Sequence, residues 1–291
     1  MLYKPATRGM RPSVTMTGPI AITGASGNAG QAVLAALRAR GVAVRPLLRD
    51  PVGDAVGFDF LRPDTFAAAV TGAAGLFLLR PPPISDVGPT LNRLVDVALA
   101  AGVSRIVFLS VIGADTRGYI PHAKVEKHLT GTAAAWTFLR AGFFAQNLGD
   151  AYRADIREHD ELFVPAGAGR AAFVDVRDLG EVAARAFTEE GHAGQAHVLT
   201  GPEALSFVQV AELLSAALGR TIRYTRPGVL RYMGRLRRRG LPFAQRLVQT
   251  VLHVGLRFGQ GEGLDPTLAR LLGRPPRTLA AYIDDHLELW R

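Results

Sequence analysis

Two hydrophobic patterns alternate along the first half of this chain. Short, mainly apolar runs, several rich in β-branched residues, are separated by stretches whose apolar residues recur at helical spacing. The runs at 19–22, 42–48, 56–59, 75–79, 105–109 and 136–140 read as strands. The stretches at 31–37, 64–70, 89–101 and 121–129 read as helices. Glycines 41 and 102 close the first and third of these, and Pro63 opens the second. Gly75–Leu79 is apolar throughout, as a strand covered on both faces must be. Strand and helix in alternation call for right-handed crossovers and an α/β, doubly wound parallel sheet. Pro46 inside the second strand is at odds with this reading, because proline removes a ladder donor.

Beyond residue 170 the pattern changes. Ala172–Val174 reads as a short strand entering a helix, with Asp175 or Asp178 as its N-cap. Ser206 and Gln209 form a capping box at the head of a helix reaching Leu218. A strand at 221–224 and helices within 227–258 and 278–290 complete a small α/β C-terminal lobe. The expected division is a leader over 1–15, a core over 16–160 with later returns near 172–200, and a lid or substrate lobe over 161–291. The spacing of Leu247, Val251, Leu252 and Leu256 indicates lid packing or a homodimer contact rather than a membrane helix.

Composition narrows the function. With no cysteine, disulfides, thiolate metal sites and a cysteine nucleophile are excluded. No apolar run is long enough to span a bilayer, and residues 1–15 lack the apolar stretch of a signal peptide, so neither membrane nor export is expected and the cytoplasm is the expected location. The net charge is +9 and the mean hydropathy +0.15. Lys4, Lys124 and Lys127 are the only lysines; arginine carries the charge, scattered except for Arg235, Arg237, Arg238 and Arg239. That cluster fits a solvated helix end or loop or, failing that, a site for phosphate or an acidic surface; the scatter elsewhere disfavours nucleic acid as a partner.

The chemistry concentrates at Gly24-Ala25-Ser26-Gly27-Asn28-Ala29-Gly30, between the first strand and the first helix. A strand, a glycine turn and a helix N-terminus present backbone N–H groups to a pyrophosphate. Gly24 allows the tight turn, Gly27 the approach of phosphate, and Gly30 close helix packing. The residue ending the second strand discriminates the adenosine ribose. Arg49 there suits the 2′-phosphate of NADP(H), which is therefore favoured over NAD(H), although Asp50 follows directly. A Tyr-x-x-x-Lys pair is missing: Tyr119 and Lys124 are five apart, off a common helix face, and Pro121 intervenes. His122, His128, Asp155 and His159 have no metal spacing, and Ser110 lies outside any G-x-S-x-G elbow.

The G-x-x-G-x-x-G loop, Leu48–Pro51, Phe58–Phe60, His122–Glu126, Thr137–Asn147 and Val174–Asp178 occur in the order seen in NmrA-like proteins, and the chain resembles that family over roughly 17–225. The family consists of atypical short-chain dehydrogenase/reductases and includes NADPH-dependent quinone reductases and ergot-alkaloid imine reductases. The resemblance implies a Rossmann core with a small lobe closing over the nicotinamide. It implies that residues 24–30 hold the pyrophosphate, that Asp59 and Phe60 meet the adenine, that Leu79, Arg80 and Lys124 line the nicotinamide ribose, and that Ser110 also belongs to the cofactor site. Phe143, Phe144 and Asn147 would face a small planar acceptor, with Lys124 or His122 orienting or protonating it. The expected activity is NADPH-dependent hydride transfer to a quinone, enone or imine. The alternative is a non-catalytic NADP(H) sensor acting through a protein partner.

Overall fold

The computed structural model of the chain describes residues 16–291; the leader expected over 1–15 lies outside the described residues. The strands are β1 Ile20–Ile22, β2 Val44–Leu48, β3 Val56–Gly57, β4 Gly75–Leu79, β5 Arg105–Val111, β6 Ala135–Ala141, β7 Phe143–Phe144, β8 Glu161–Phe163, β9 Arg170–Val174, β10 Gln195–Leu199, β11 Ala204–Ser206 and β12 Arg223–Thr225. The α-helices are α1 Asn28–Arg38, α2 Phe66–Val70, α3 Arg93–Ala100, α4 Pro121–Thr130, α5 Arg153–His159, α6 Val176–Thr188, α7 Phe207–Leu218, α8 Val229–Arg238, α9 Phe243–Leu256, α10 Thr267–Leu272 and α11 Leu279–Asp285.

Seven strands form one parallel sheet in the order β10-β6-β5-β4-β1-β2-β3. The pleat sends alternate residues to opposite layers. Ile20, Ile22 and Phe77 pack under α1, α6 and α10, while Ala21, Leu76 and Leu78 pack under α2, α3 and α4. Helices α1 and α6 approach closely because Gly180 has no side chain; a Cβ there would lie 2.5 Å from the Ala32 carbonyl oxygen. Pro46 is tolerated for a geometric reason. Ile20 N donates to Ala43 O, so alternate β2 residues from Ala43 onward face β1 and Pro46 faces the other edge. Pairing with β3 begins only at Leu47, so no ladder donor is missed.

The lobe is built from β7, β9 and β11, from the β8–β12 pair, and from α5, α7, α9 and α11 around a separate apolar cluster, with α8 packing Tyr232 and Leu236 against Phe163 of β8. The chain leaves the main sheet after β6 and returns as α6 and β10, then again as α10, whose Leu268, Leu271 and Leu272 join the first layer. Of the two candidate caps on α6, Asp175 is the one that caps, accepting from Arg177 N at 2.8 Å. Asp178 has another job: fully buried, it accepts from Arg274 Nη2 at 2.8 Å, from Arg277 N at 2.7 Å and from the Arg277 guanidinium, fastening the 274–277 turn to α6. The arginine cluster is likewise divided. Arg235 and Arg239 both hold the buried Asp155 carboxylate and Arg235 also holds Glu161, whereas Arg237 and Arg238 stay exposed.

Candidate functional site

Strand order reverses between β1 and β4, and in a doubly wound sheet ligands bind outside the carboxyl ends of the strands at that point. Thr23, fully buried, locks the two strands together there. Its Oγ1 donates to Phe77 O at 3.1 Å and accepts from Leu79 N at 2.8 Å. Gly24 follows with φ +64°, a conformation that disfavours any other residue, and faces the Leu79 side chain. At Gly30 a Cβ would stand 2.1 Å from the Gly24 carbonyl oxygen, so the helix rests directly on the turn.

Gly27 differs from both. The nearest heavy atom to a Cβ there is 3.5 Å away, so nothing in the protein requires glycine at this position. Gly27 is exposed, caps α1 without a side chain, and no acidic residue follows in the first turn. The concave backbone and the positive end of the helix therefore fit a pyrophosphate. Ser26 and Asn28 are exposed beside it; Ala25 and Ala29 have their methyl groups in the core and offer the ligand only their backbone. Asn28 Nδ2 donates to Asp150 Oδ2 at 2.6 Å, tying the loop to the lobe.

Arg49 is exposed at the end of β2 and makes no hydrogen bond or ion pair among the described residues; Asp50 is exposed next to it. Asp59 is half-buried, its Oδ1 accepting from Leu61 N at 2.9 Å. Phe60 departs from the expected adenine contact. Its ring is buried edge-on against Phe58, with centroids 4.8 Å apart, in the layer beneath α2, so this turn presents Asp59 and not an aromatic face.

Arg80 also has a role other than lining a ribose. Its Nη1 donates to Pro81 O, Pro82 O and Ile84 O at 3.1, 3.1 and 2.5 Å, shaping the proline loop after β4. Its Nε donates to His122 Nε2 at 3.3 Å. The His122 ring stacks on Phe108, centroids 6.0 Å apart. Burial, helped by the Arg80 charge, lowers the His122 pKa to about 3, so the imidazole is neutral at physiological pH. With Nε2 accepting from Arg80, the ring proton is assigned to Nδ1.

Glu126 lies one helical turn beyond His122, on the same face of α4. Its Oε1 accepts from Ser110 Oγ at 2.6 Å and from Arg140 Nε at 3.1 Å, and its Oε2 accepts from Arg140 Nη2 at 2.7 Å. Arg140 reaches Asp115 at 2.9 Å as well. Ser110 is thus buried and engaged by Glu126, which removes it from the residues free to hold a ribose. Lys124 lies off this face: it is exposed and borders a surface groove with Asn92, Asp96 and His128. Tyr119 is 77% exposed. The structure therefore brings His122 to the carboxyl edge and leaves Lys124 outside. Among the described residues no group of His, Cys, Asp or Glu could hold a metal ion.

On the lobe side, Phe143 meets Phe173, Phe207 and His253 at centroid distances of 5.3, 6.4 and 6.0 Å, so its ring is shared with the lobe core. Phe144 is half-buried against the main core. The Asn147 side chain is half-buried without a hydrogen bond among the described residues. Gln146, which sequence reasoning did not single out, fixes this turn: Nε2 donates to Asp175 Oδ1 and Oε1 accepts from Val176 N, both at 3.1 Å. The Glu126–Arg140 pair was also missed. Its signal was present, since a charged residue in an otherwise apolar buried strand must meet a counter-charge.

A switch-point cradle for pyrophosphate, an unpaired arginine at the end of β2 and no Tyr-x-x-x-Lys pair define an NAD(P)-binding Rossmann oxidoreductase of the atypical short-chain type. The model of the NmrA-like family matches residues 16–270, and the chain belongs to that family. It is 31% identical to an NAD(P)H azoreductase of Xenophilus azovorans over 281 residues, 92% of this chain and 97% of that one. It is 31% identical to an agroclavine dehydrogenase of Claviceps fusiformis over 242 residues, 80% and 83% of the two chains. The crystal structure of an NADPH-dependent quinone oxidoreductase from Escherichia coli with NADPH superposes with a TM-score of 0.81 at 27% identity, covering 92% of this chain and 99% of that chain.

Proposed function

We propose that this protein is a reductase that uses NADPH to reduce a small planar conjugated acceptor of the quinone, azo or iminium class. The observation that carries this is the Gly27 cradle together with Arg49, in a chain whose relatives include an NAD(P)H azoreductase and an NADPH-dependent quinone oxidoreductase. When bound, NADPH supplies the hydride. Residues 24–30 and the α1 N-terminus bind the pyrophosphate, Arg49 pairs with the 2′-phosphate and Asp59 meets the adenosine end. Arg80 holds the proline loop and the His122 ring. His122, neutral with its proton on Nδ1, orients the acceptor by donating a hydrogen bond. Phe143, Phe144 and Asn147 bound the acceptor from the lobe side, and the cytoplasm is the proposed location.

Replacing Arg49 by Ala removes the guanidinium at the end of β2 that would meet a 2′-phosphate. NADPH affinity is expected to fall by about tenfold to a hundredfold while NADH affinity changes little, as expected for loss of a charge-assisted, bidentate contact. Fluorescence titration with both nucleotides reads the difference; equal loss for both would remove Arg49 from this role.

The pH dependence follows from His122, and from His253, whose pKa burial lowers to about 4. Since His122 is already neutral, kcat/KM should show no break near the usual histidine value of about 6.5. Stability should show one. In the unfolded chain both histidines take up protons below about pH 6.5, whereas the folded chain resists until about pH 3 and 4. The stabilisation is present above pH 6.5 and is lost as pH falls towards those values, by up to roughly 1.4 kcal/mol per pH unit for each histidine. Urea midpoints between pH 7 and pH 4.5, measured beside the rate profile, test both signs.

A further inference from the structure

The exposed residues of α9 are Phe243, Ala244, Leu247, Val248, Val251 and Leu252, and every one is apolar. Val251 and Leu252 are 60% and 59% exposed. They form one continuous stripe along a helix of 14 residues, about 21 Å long. The opposite side of the helix is fixed within the lobe: His253 bonds to the Tyr152 hydroxyl, and Leu256 is buried. A face of this kind on a folded protein marks an interaction surface.

Charge decides what covers it. Between Glu212 and Glu262 the sequence has ten arginines and no Asp, Glu or Lys; Arg220, Arg235 and Arg239 are paired with acids of the preceding segment, which leaves the rest as positive charge. Arg237 and Arg238 end α8, and their side chains have no ion pair or hydrogen bond among the described residues; in the chain only residues 239–242 separate them from Phe243. Arg246 stacks on the Phe243 ring at 5.4 Å, and its Nε is buried without a hydrogen-bond partner among the described residues. A two-fold contact with a second copy would set this patch against itself, arginine against arginine, with no acid in the segment to pair with. Nucleic acid would meet the arginines but offers no apolar interior for Leu247 and Val251. An apolar stripe flanked by arginines matches a surface that has hydrocarbon beneath a layer of anionic headgroups.

We propose that the α8–α9 face docks this protein on anionic phospholipid membranes, with α9 lying in the interface. No helix of the described residues is long and apolar enough to cross a membrane, so the contact is peripheral. The helical spacing of this segment alone pointed to lid packing or a dimer; exposure and charge redirect it. The inference does not depend on the reductase reading, because docking is measured without nucleotide or acceptor.

The test is co-sedimentation of the full chain with phosphatidylcholine vesicles, with and without phosphatidylglycerol, at low and high salt. Binding is expected only with phosphatidylglycerol, weakened by salt. Arg237→Gln/Arg238→Gln and Leu247→Gln/Val251→Gln should each lower the partition coefficient roughly tenfold or more. All four positions are exposed, so circular dichroism should remain that of the parent. Failure to bind anionic vesicles overturns the proposal, as does binding that both double variants leave unchanged. A dimer in sedimentation equilibrium that Leu247→Gln/Val251→Gln dissociates would assign the face to a second copy and overturn it too. A raised KM in that variant with parental vesicle binding would make the stripe a wall of the acceptor site instead.

Discussion

Gly27→Asp is expected to abolish dinucleotide binding while leaving the protein folded. The two neighbouring glycines cannot provide this separation. Gly24 has φ +64°, and a Cβ on Gly30 would overlap the Gly24 carbonyl, so substitutions at either disturb the turn itself. At Gly27 the space around a Cβ is open and the backbone is extended, with φ −87° and ψ 165°. A carboxylate there would occupy the cradle and repel the pyrophosphate. It would also cap α1 favourably, since Asp is among the preferred N-cap residues. NADPH affinity should fall by at least about a hundredfold, equivalent to 2.8 kcal/mol or more, with the urea midpoint unchanged or slightly raised. Unchanged NADPH binding in the variant would place the nucleotide elsewhere.

Glu126→Gln is expected to be the most damaging of the conservative substitutions for stability. Glu126 is 5% exposed and holds the Nε–Nη2 edge of the Arg140 guanidinium as well as the Ser110 hydroxyl. Removing its charge leaves Arg140 with only the half-solvated Asp115 as counter-charge. Breaking one side of a buried ion pair costs roughly 3–5 kcal/mol, and a loss of about 3 kcal/mol is expected by urea denaturation. Replacing both partners together, Glu126→Leu with Arg140→Leu, should recover part of that loss, because no charge remains stranded. A double variant as unstable as the sum of the singles would show that the network acts through packing and not through charge.

The sheet and the glycine loop were legible because their signals are local. Strand runs, helix caps and the Gly24–Gly30 spacing each involve residues within a few positions of one another, and the sheet is parallel and doubly wound as expected. Short β10 escaped notice because Gln195–Leu199 is an edge strand, polar at its start and paired only with β6. Asp178 was read as a cap because its true partners, Arg274 and Arg277, lie nearly a hundred residues further on. Ser110 reads as a cofactor contact for the same reason: its Glu126 partner is on another element. The placement of Lys124 was available in the sequence. Two residues from His122 on a helix is about 200° of rotation, so the two could not share a face. Phe60 follows the strand Val56–Gly57 in a turn, where alternation no longer tells inward from outward, and only packing against Phe58 and Phe66 places its ring.

The most direct measurement is NADPH oxidation by the purified chain, followed at the nicotinamide absorbance, with a quinone, an azo dye and an iminium compound offered in turn. Acceptor-dependent oxidation of NADPH, slower with NADH and lost in Gly27→Asp, is the predicted result. Tight NADPH binding without oxidation by any acceptor would contradict the reductase and leave a protein that binds the nucleotide without using it.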